Sequence, residues 1–165
     1  MKILITGGVK SGKSINAEKR ILEIADSNIP IYLATCEMFD NEMDSRIESH
    51  RKRRGKKFKT IEEPLNLFEV IRNKSNPVLI ECITMWLNNA LQYKISKKNI
   101  FTEIENLLSL KNDLIFVMNE VGLGIIPDNP LAREFSDLSG KISQKLSESC
   151  DEVNFTVAGI LMKLK

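Results

Sequence analysis

Residues 7 to 14 read GGVKSGKS, which meets the spacing GxxxxGK[ST] in full. Gly7, Gly8 and Gly12 let backbone N–H groups close around phosphate oxygens, and Val9, Lys10 and Ser11 complete the loop. Lys13 has the reach to touch β and γ phosphates, and Ser14 carries a hydroxyl suited to Mg²⁺. The chemistry such a loop supports is the binding of a nucleoside triphosphate and the transfer of its phosphates. Glu81 closes the apolar run VLIE, where an acidic group beside Mg²⁺ sits in proteins with this loop, and Thr35 closes IYLAT. Thr35 and Glu81 are therefore expected to flank a nucleotide at the carboxyl ends of the strands.

The single histidine, His50, lies four residues after Arg46 and directly before RKRRGKKFK, Arg51 to Lys59. That stretch holds seven of the 24 basic residues, so its positive field is local although the net charge is only +2. Composition leaves three roles open for it: a solvated helix end, a nucleic-acid patch or an anion site. No aromatic interleaving favours nucleic acid. A neutral imidazole here can attack the α-phosphorus of a nucleoside triphosphate, expel pyrophosphate and store the nucleotide as a phosphoramidate, with guanidinium groups stabilising the developing charge. Spacing alone also fits an ordinary surface histidine.

These groups need elements to hold them. Lys2 to Thr6 reads as a buried strand, and Lys13 to Asp26 has helical spacing through Ile15, Ala17, Ile21, Leu22 and Ile24. IYLAT is a second strand after Pro30, and Asp40 is placed to cap a helix through Met43 and Ile47 toward Arg53. After FKTIE, Pro64 suits the first turn of a helix carrying Leu65, Leu67, Phe68, Val70 and Ile71, stopped by Asn76-Pro77. VLIEC is a strand, Thr84 to Leu91 and Ile100 to Leu110 are helices around a polar loop, NDLIFVMNE is a strand, Pro130 to Cys150 a long helix, and EVNFTV a strand. Ala158-Gly159 then turns the chain into ILMKLK. Strands with unbroken apolar runs alternating with helices predict an α/β fold with a mainly parallel sheet covered on both faces, and the two-residue turn predicts an antiparallel C-terminal edge hairpin.

Size and composition narrow the class. With 165 residues, 42% hydrophobic and 28% charged, the chain suits one folded domain, 1–165. Its apolar runs are far shorter than the roughly 20 residues of a membrane span, and KILIT does not read as a secretory leader, which predicts a cytoplasmic protein. Cys36, Cys82 and Cys150 form no CxxC pair, so reduced thiols are expected rather than a disulfide framework or a zinc site. A regulatory GTPase would need NKxD and an early DxxG. Asn73-Lys74-Ser75-Asn76 lacks the aspartate, and Asp137 to Gly140 falls in a late helix.

ILITGGVKSGKS, YLAT, EMDSRIESHRKRR, ECITMWLNN, NEVGLGIIPDNPLAREFSDLSGKISQKL and DEVNFTVAGILMKLK together resemble the bifunctional adenosylcobinamide kinase / adenosylcobinamide-phosphate guanylyltransferase family, nearly end to end. The resemblance implies a RecA-like phosphate-loop fold and a homotrimer. It also implies ATP- or GTP-dependent phosphorylation of adenosylcobinamide, then GMP transfer from GTP to adenosylcobinamide phosphate through a guanylyl-histidine. The family's RIxxH motif puts that histidine at His50, where many members have two consecutive histidines and this chain has Ser49-His50. By the same likeness Leu33, Ala34, Thr35, Arg51, Lys52, Arg53, Arg54, Glu62 and Glu81 line the GTP site, with Ser14 and Glu81 on Mg²⁺. Glu62 has the acceptor geometry to read the N1–H and N2–H₂ edge of guanine. Asn119, Glu120 and Gly122 shape either the corrinoid side or a structural turn. Two alternatives stand beside the bifunctional enzyme: a small-molecule kinase without guanylyl transfer, and a non-enzymatic GTP-binding module.

Overall fold

The computed structural model describes residues 1–37 and 55–165. Among them, seven strands form one sheet: β1 (Lys2–Gly7), β2 (Ile31–Ala34), β3 (Lys59–Glu62), β4 (Val78–Glu81), β5 (Leu114–Asn119), β6 (Glu152–Val157) and β7 (Ile160–Lys163). Their spatial order is β3-β2-β4-β5-β1-β6-β7. Every pairing is parallel except the last, in which β6 and β7 run antiparallel with Val157 opposite Ile160. The turn between them places Ala158 and Gly159 both at positive φ, 50° and 81°, as a two-residue hairpin loop requires.

The central strands are buried on both faces, which is why they read as continuous apolar runs. Alternation within them sorts the core into two layers. Ile3, Ile5, Tyr32, Leu79, Ile115 and Val117 meet Ala17 and Ile21 of α1 (Lys13–Ala25), together with Phe58. Leu4, Leu33, Ile80, Phe116 and Met118 face the opposite layer, built by α2 (Leu67–Ile71), α3 (Ile83–Gln92), α4 (Lys97–Ser109) and α5 (Pro130–Ser149). Trp86 of α3 is fully enclosed there and its indole N–H donates to the Leu65 carbonyl at 2.9 Å, which satisfies its one polar group.

Three local expectations are corrected. Pro64 stands outside the helix that follows: the Glu63 carboxylate accepts from the N–H groups of Leu65 and Asn66, making a turn, so α2 begins at Leu67 and stops at Ile71. α4 begins at Lys97 rather than Ile100, because the Ser96 hydroxyl caps it by accepting from Asn99 N–H at 3.2 Å. The segment Lys59–Glu62, left without an element by its sequence, is the edge strand β3. The helix expected from Asp40 toward Arg53 lies outside the described residues.

Candidate active site

β1 delivers Gly7 at its carboxyl end, between β5 and β6, and the phosphate loop follows. A side chain at Gly7 has no room: a Cβ there would lie 2.3 Å from the Thr156 carbonyl oxygen. Gly12 sits at φ +97° with its Cβ position 3.0 Å from Gly159 Cα. Ser11 N–H bonds back to Gly8 O at 3.2 Å, and Gly159 N–H donates to Ser11 O at 2.8 Å. Asn16, one turn into α1, donates its side-chain amide to Gly159 O at 3.2 Å. The hairpin turn is thus strapped across the loop from outside.

Lys13 is buried and its ammonium curls back to donate to Gly8 O at 3.0 Å, so its charge is held over the loop. α1 starts immediately beyond without a side-chain cap, leaving its first N–H groups and positive end to an anion. The Ser14 hydroxyl donates to Glu81 Oε1 at 2.7 Å across the β1–β4 gap. A hydroxyl and a carboxylate in direct contact at a phosphate site are hard oxygen donors, and that donor set fits Mg²⁺. Among the described residues no group of three or more His, Cys, Asp or Glu is arranged to hold a metal by protein ligands alone.

Glu81 is positioned by its neighbours. Thr35 is fully buried, and its hydroxyl both donates to Cys82 O and accepts from Cys82 N–H, each at 2.8 Å. Thr35 N–H donates to Glu81 O at 2.8 Å, while the buried Asn89 amide donates to the Thr35 and Pro64 carbonyls at 2.7 and 3.2 Å. Thr35 therefore serves the site by fixing the backbone on either side of Glu81–Cys82, whose peptide is cis. Leu33 is likewise fully buried, its side chain packed in the core with no surface toward the site.

Ala34 pairs in register with Glu62 on one side and Glu81 on the other, so these three end adjacent strands at one level. With strands about 4.8 Å apart, Glu62 and Glu81 stand roughly 10 Å from each other, Glu62 exposed at the sheet edge. Asn119 ends β5 beside Gly7, its N–H donating to Thr84 Oγ1 at 2.7 Å, and Glu120 N–H donates to Gly7 O at 2.9 Å. His50, Arg51, Lys52, Arg53 and Arg54 lie outside the described residues. Cys82 and Cys150 are buried thiols and Cys36 is partly so; burial pushes Cys150 up to about 12 and raises Cys82, which keeps both protonated. The residues that sequence reasoning did not place at the site are Asn16, Asn89 and, as a strap on the phosphate loop, the Ala158–Gly159 turn. The turn itself was legible; its seat on the phosphate loop depends on β6 lying next to β1.

Comparison with known proteins gives these features a context. A family profile described as "Cobinamide kinase / cobinamide phosphate guanyltransferase" matches residues 3–164. The chain is 38% identical over 184 positions to the bifunctional adenosylcobalamin biosynthesis protein CobU of Escherichia coli strain K12, covering 100% of both chains. It is 39% identical over 173 positions to the bifunctional adenosylcobalamin biosynthesis protein CobP of Pseudomonas aeruginosa, covering 100% of this chain and 98% of the relative. Among solved structures, flagellar accessory protein FlaH from Methanocaldococcus jannaschii superposes with a TM-score of 0.55 at 13% identity, over 99% of this chain and 77% of that one. A prototypical ATPase from the type III secretion system of pathogenic bacteria gives 0.53 at 13% identity, over 98% and 56%. Those two likenesses speak for the phosphate-loop fold alone. The near-complete profile match and the full-length relatives go further: the chain belongs to the cobinamide kinase / cobinamide phosphate guanyltransferase family.

Proposed function

We propose that this chain carries out two consecutive transfers on adenosylcobinamide. In the first, the acceptor's hydroxyl oxygen attacks the γ-phosphorus of ATP or GTP and the nucleoside diphosphate leaves. In the second, a ring nitrogen of His50 attacks the α-phosphorus of GTP and pyrophosphate leaves; the phosphate oxygen of adenosylcobinamide phosphate then displaces the histidine, giving adenosylcobinamide-GDP. The observation that carries this reading is the full-length family match joined to a complete phosphate loop in which Ser14 and Glu81 touch at 2.7 Å.

The loop's own groups support the kinase step by position. Lys13, now on Gly8 O at 3.0 Å, exchanges that carbonyl for a phosphate oxygen without leaving the loop, and the first N–H groups of α1 donate to the other phosphate oxygens. Ser14 and Glu81 would hold Mg²⁺, which would supply charge neutralisation for the β and γ phosphates. Arg51, Lys52, Arg53 and Arg54 are assigned to phosphate binding around His50, and Glu62 to the guanine edge, where a carboxylate favours two adjacent donors that adenine does not present. A homotrimer in the cytoplasm is part of the same reading. Among the described residues, no helix is long and apolar enough to cross a membrane.

Incubation with α-labelled GTP and Mg²⁺ without corrinoid tests it. Retained label that is acid-labile and base-stable, with pyrophosphate released, is expected for the parent and none for His50→Ala. An unlabelled parent that still phosphorylates cobinamide would leave a kinase without guanylyl transfer, the outcome expected if the nucleophile's place in the motif falls on Ser49 instead of His50.

A further inference from the structure

The loop of residues 120–129 leaves β5 at the carboxyl end of the sheet, and β5 lies between β4 and β1. Its root therefore lies between the strand that ends at Glu81 and the strand that ends at the phosphate loop, pinned there by Glu120 N–H on Gly7 O at 2.9 Å. Its form is held by its own polar groups. The Glu120 carboxylate accepts from Gly122 N–H at 2.6 Å, and Asn129 caps α5 by accepting from Leu131 and Ala132 N–H. The Arg133 guanidinium donates to the Pro127 and Asp128 carbonyls at 2.8 and 2.7 Å. Yet this loop turns Leu123, Ile125 and Ile126 outward at 80%, 97% and 79% exposure. Exposed apolar side chains close in sequence on a held loop, rooted next to the phosphate loop, suit the lining of a ligand site rather than of a core.

Two occupants compete for such a surface, a second copy of the chain and the acceptor. A subunit contact has a separate candidate: the outer strand β7 exposes Ile160, Leu161 and Met162 along the far edge of the sheet, three strand spacings or about 14 Å from β5. The acceptor fits the loop better. A corrin macrocycle presents a broad surface of ring and methyl carbons between its polar amide arms and carries its reacting hydroxyl on one side arm, so it needs an apolar rest near, not at, the phosphates. Resting on the function proposed above, we infer that Leu123, Ile125 and Ile126 form the wall against which one face of the corrin ring lies while its arm reaches the phosphate loop.

The test is equilibrium dialysis of cobinamide, followed by its visible absorption, against the full chain with a non-hydrolysable GTP analogue and no transferable phosphate present. The Ile125→Ser/Ile126→Ser double variant removes no core packing, and its thermal midpoint should match the parent's. Cobinamide binding is expected to weaken at least tenfold, with the KM for GTP and the GTP-derived histidine label unchanged, and Ile125→Leu/Ile126→Leu should restore binding. Unchanged cobinamide affinity in the serine variant overturns the inference. So does parental affinity per chain combined with a lower mass in sedimentation velocity, which would give the loop to a subunit contact. A parent that takes label from GTP but binds no cobinamide would instead overturn the acceptor named in the proposed function.

Discussion

Two glycine-containing loops leave neighbouring strands at the same level, since Gly7 of β1 and Asn119 of β5 are partners in register. The loop after β1 turns its backbone toward the ligand and is strapped by other elements, with Gly159 N–H on Ser11 O and Asn16 on Gly159 O. The loop after β5 is braced mainly by its own residues and displays side chains instead. Glycine means different things in the two. At Gly7 and Gly12 a Cβ would strike backbone, whereas at Gly124 it would meet nothing within 4 Å. A surface that holds phosphate must bring N–H groups close and exclude side chains; one that holds a broad apolar face needs side chains and only tolerates glycine.

The widest separation of the two loops is expected from Lys13→Ala. The Lys13 ammonium is the charge held over the loop by Gly8 O, and removing a preorganised donor of this kind costs on the order of 10²- to 10³-fold in turnover. Steady-state kinase assays should show that loss with cobinamide binding retained; equal losses in both would mean that the two loops do not act separately. Next comes Gly7→Ala. Its Cβ would need the Thr156 carbonyl, 2.3 Å away, to retreat, and since that oxygen belongs to β6 the strain spreads into the sheet. Overpacking against a rigid neighbour costs about 1–3 kcal/mol. For a chain of this size that is a fall of roughly 3–10 °C in thermal midpoint, measurable by scanning calorimetry.

Thr35→Val sharpens the comparison by breaking the frame of the phosphate side while keeping side-chain shape. It leaves Cys82 N–H and C=O without the hydroxyl that serves both, at about 1–3 kcal/mol. The expected signature is a lowered midpoint with a weakened response of nucleotide binding to Mg²⁺, because Glu81 is the residue being held. An unchanged Mg²⁺ titration would separate Thr35 from the metal site. This residue also shows where sequence reading stops. The motif GGVKSGKS, the strands ending at Gly7 and Glu81, and the hairpin at Ala158-Gly159 are local patterns and were legible as such. Thr35 looked like a ligand because it ends a strand beside the site; that its hydroxyl turns inward depends on Cys82, 47 residues away. The edge strand β3 was missed for a related reason. Its residues are mostly exposed and only Ile61 is apolar, so no periodicity marks it, and pairing with β2 alone makes it a strand.

Gly124→Ala carries the smallest expected effect and tests the other half of the contrast. Position 124 has no positive φ and open space where the methyl would go, so the folded state accepts alanine without displacement. Alanine narrows the conformations of the unfolded chain, which stabilises by about 0.4–1 kcal/mol where the native backbone already suits it. The thermal midpoint should therefore hold or rise by about 1–4 °C, with kinase activity at the parent's level. A marked loss of activity at an unchanged midpoint would mean that Gly124 takes a different backbone conformation once the acceptor is bound. The loop after β5 would then work by moving, and its glycines would be as stereochemically committed as those of the phosphate loop.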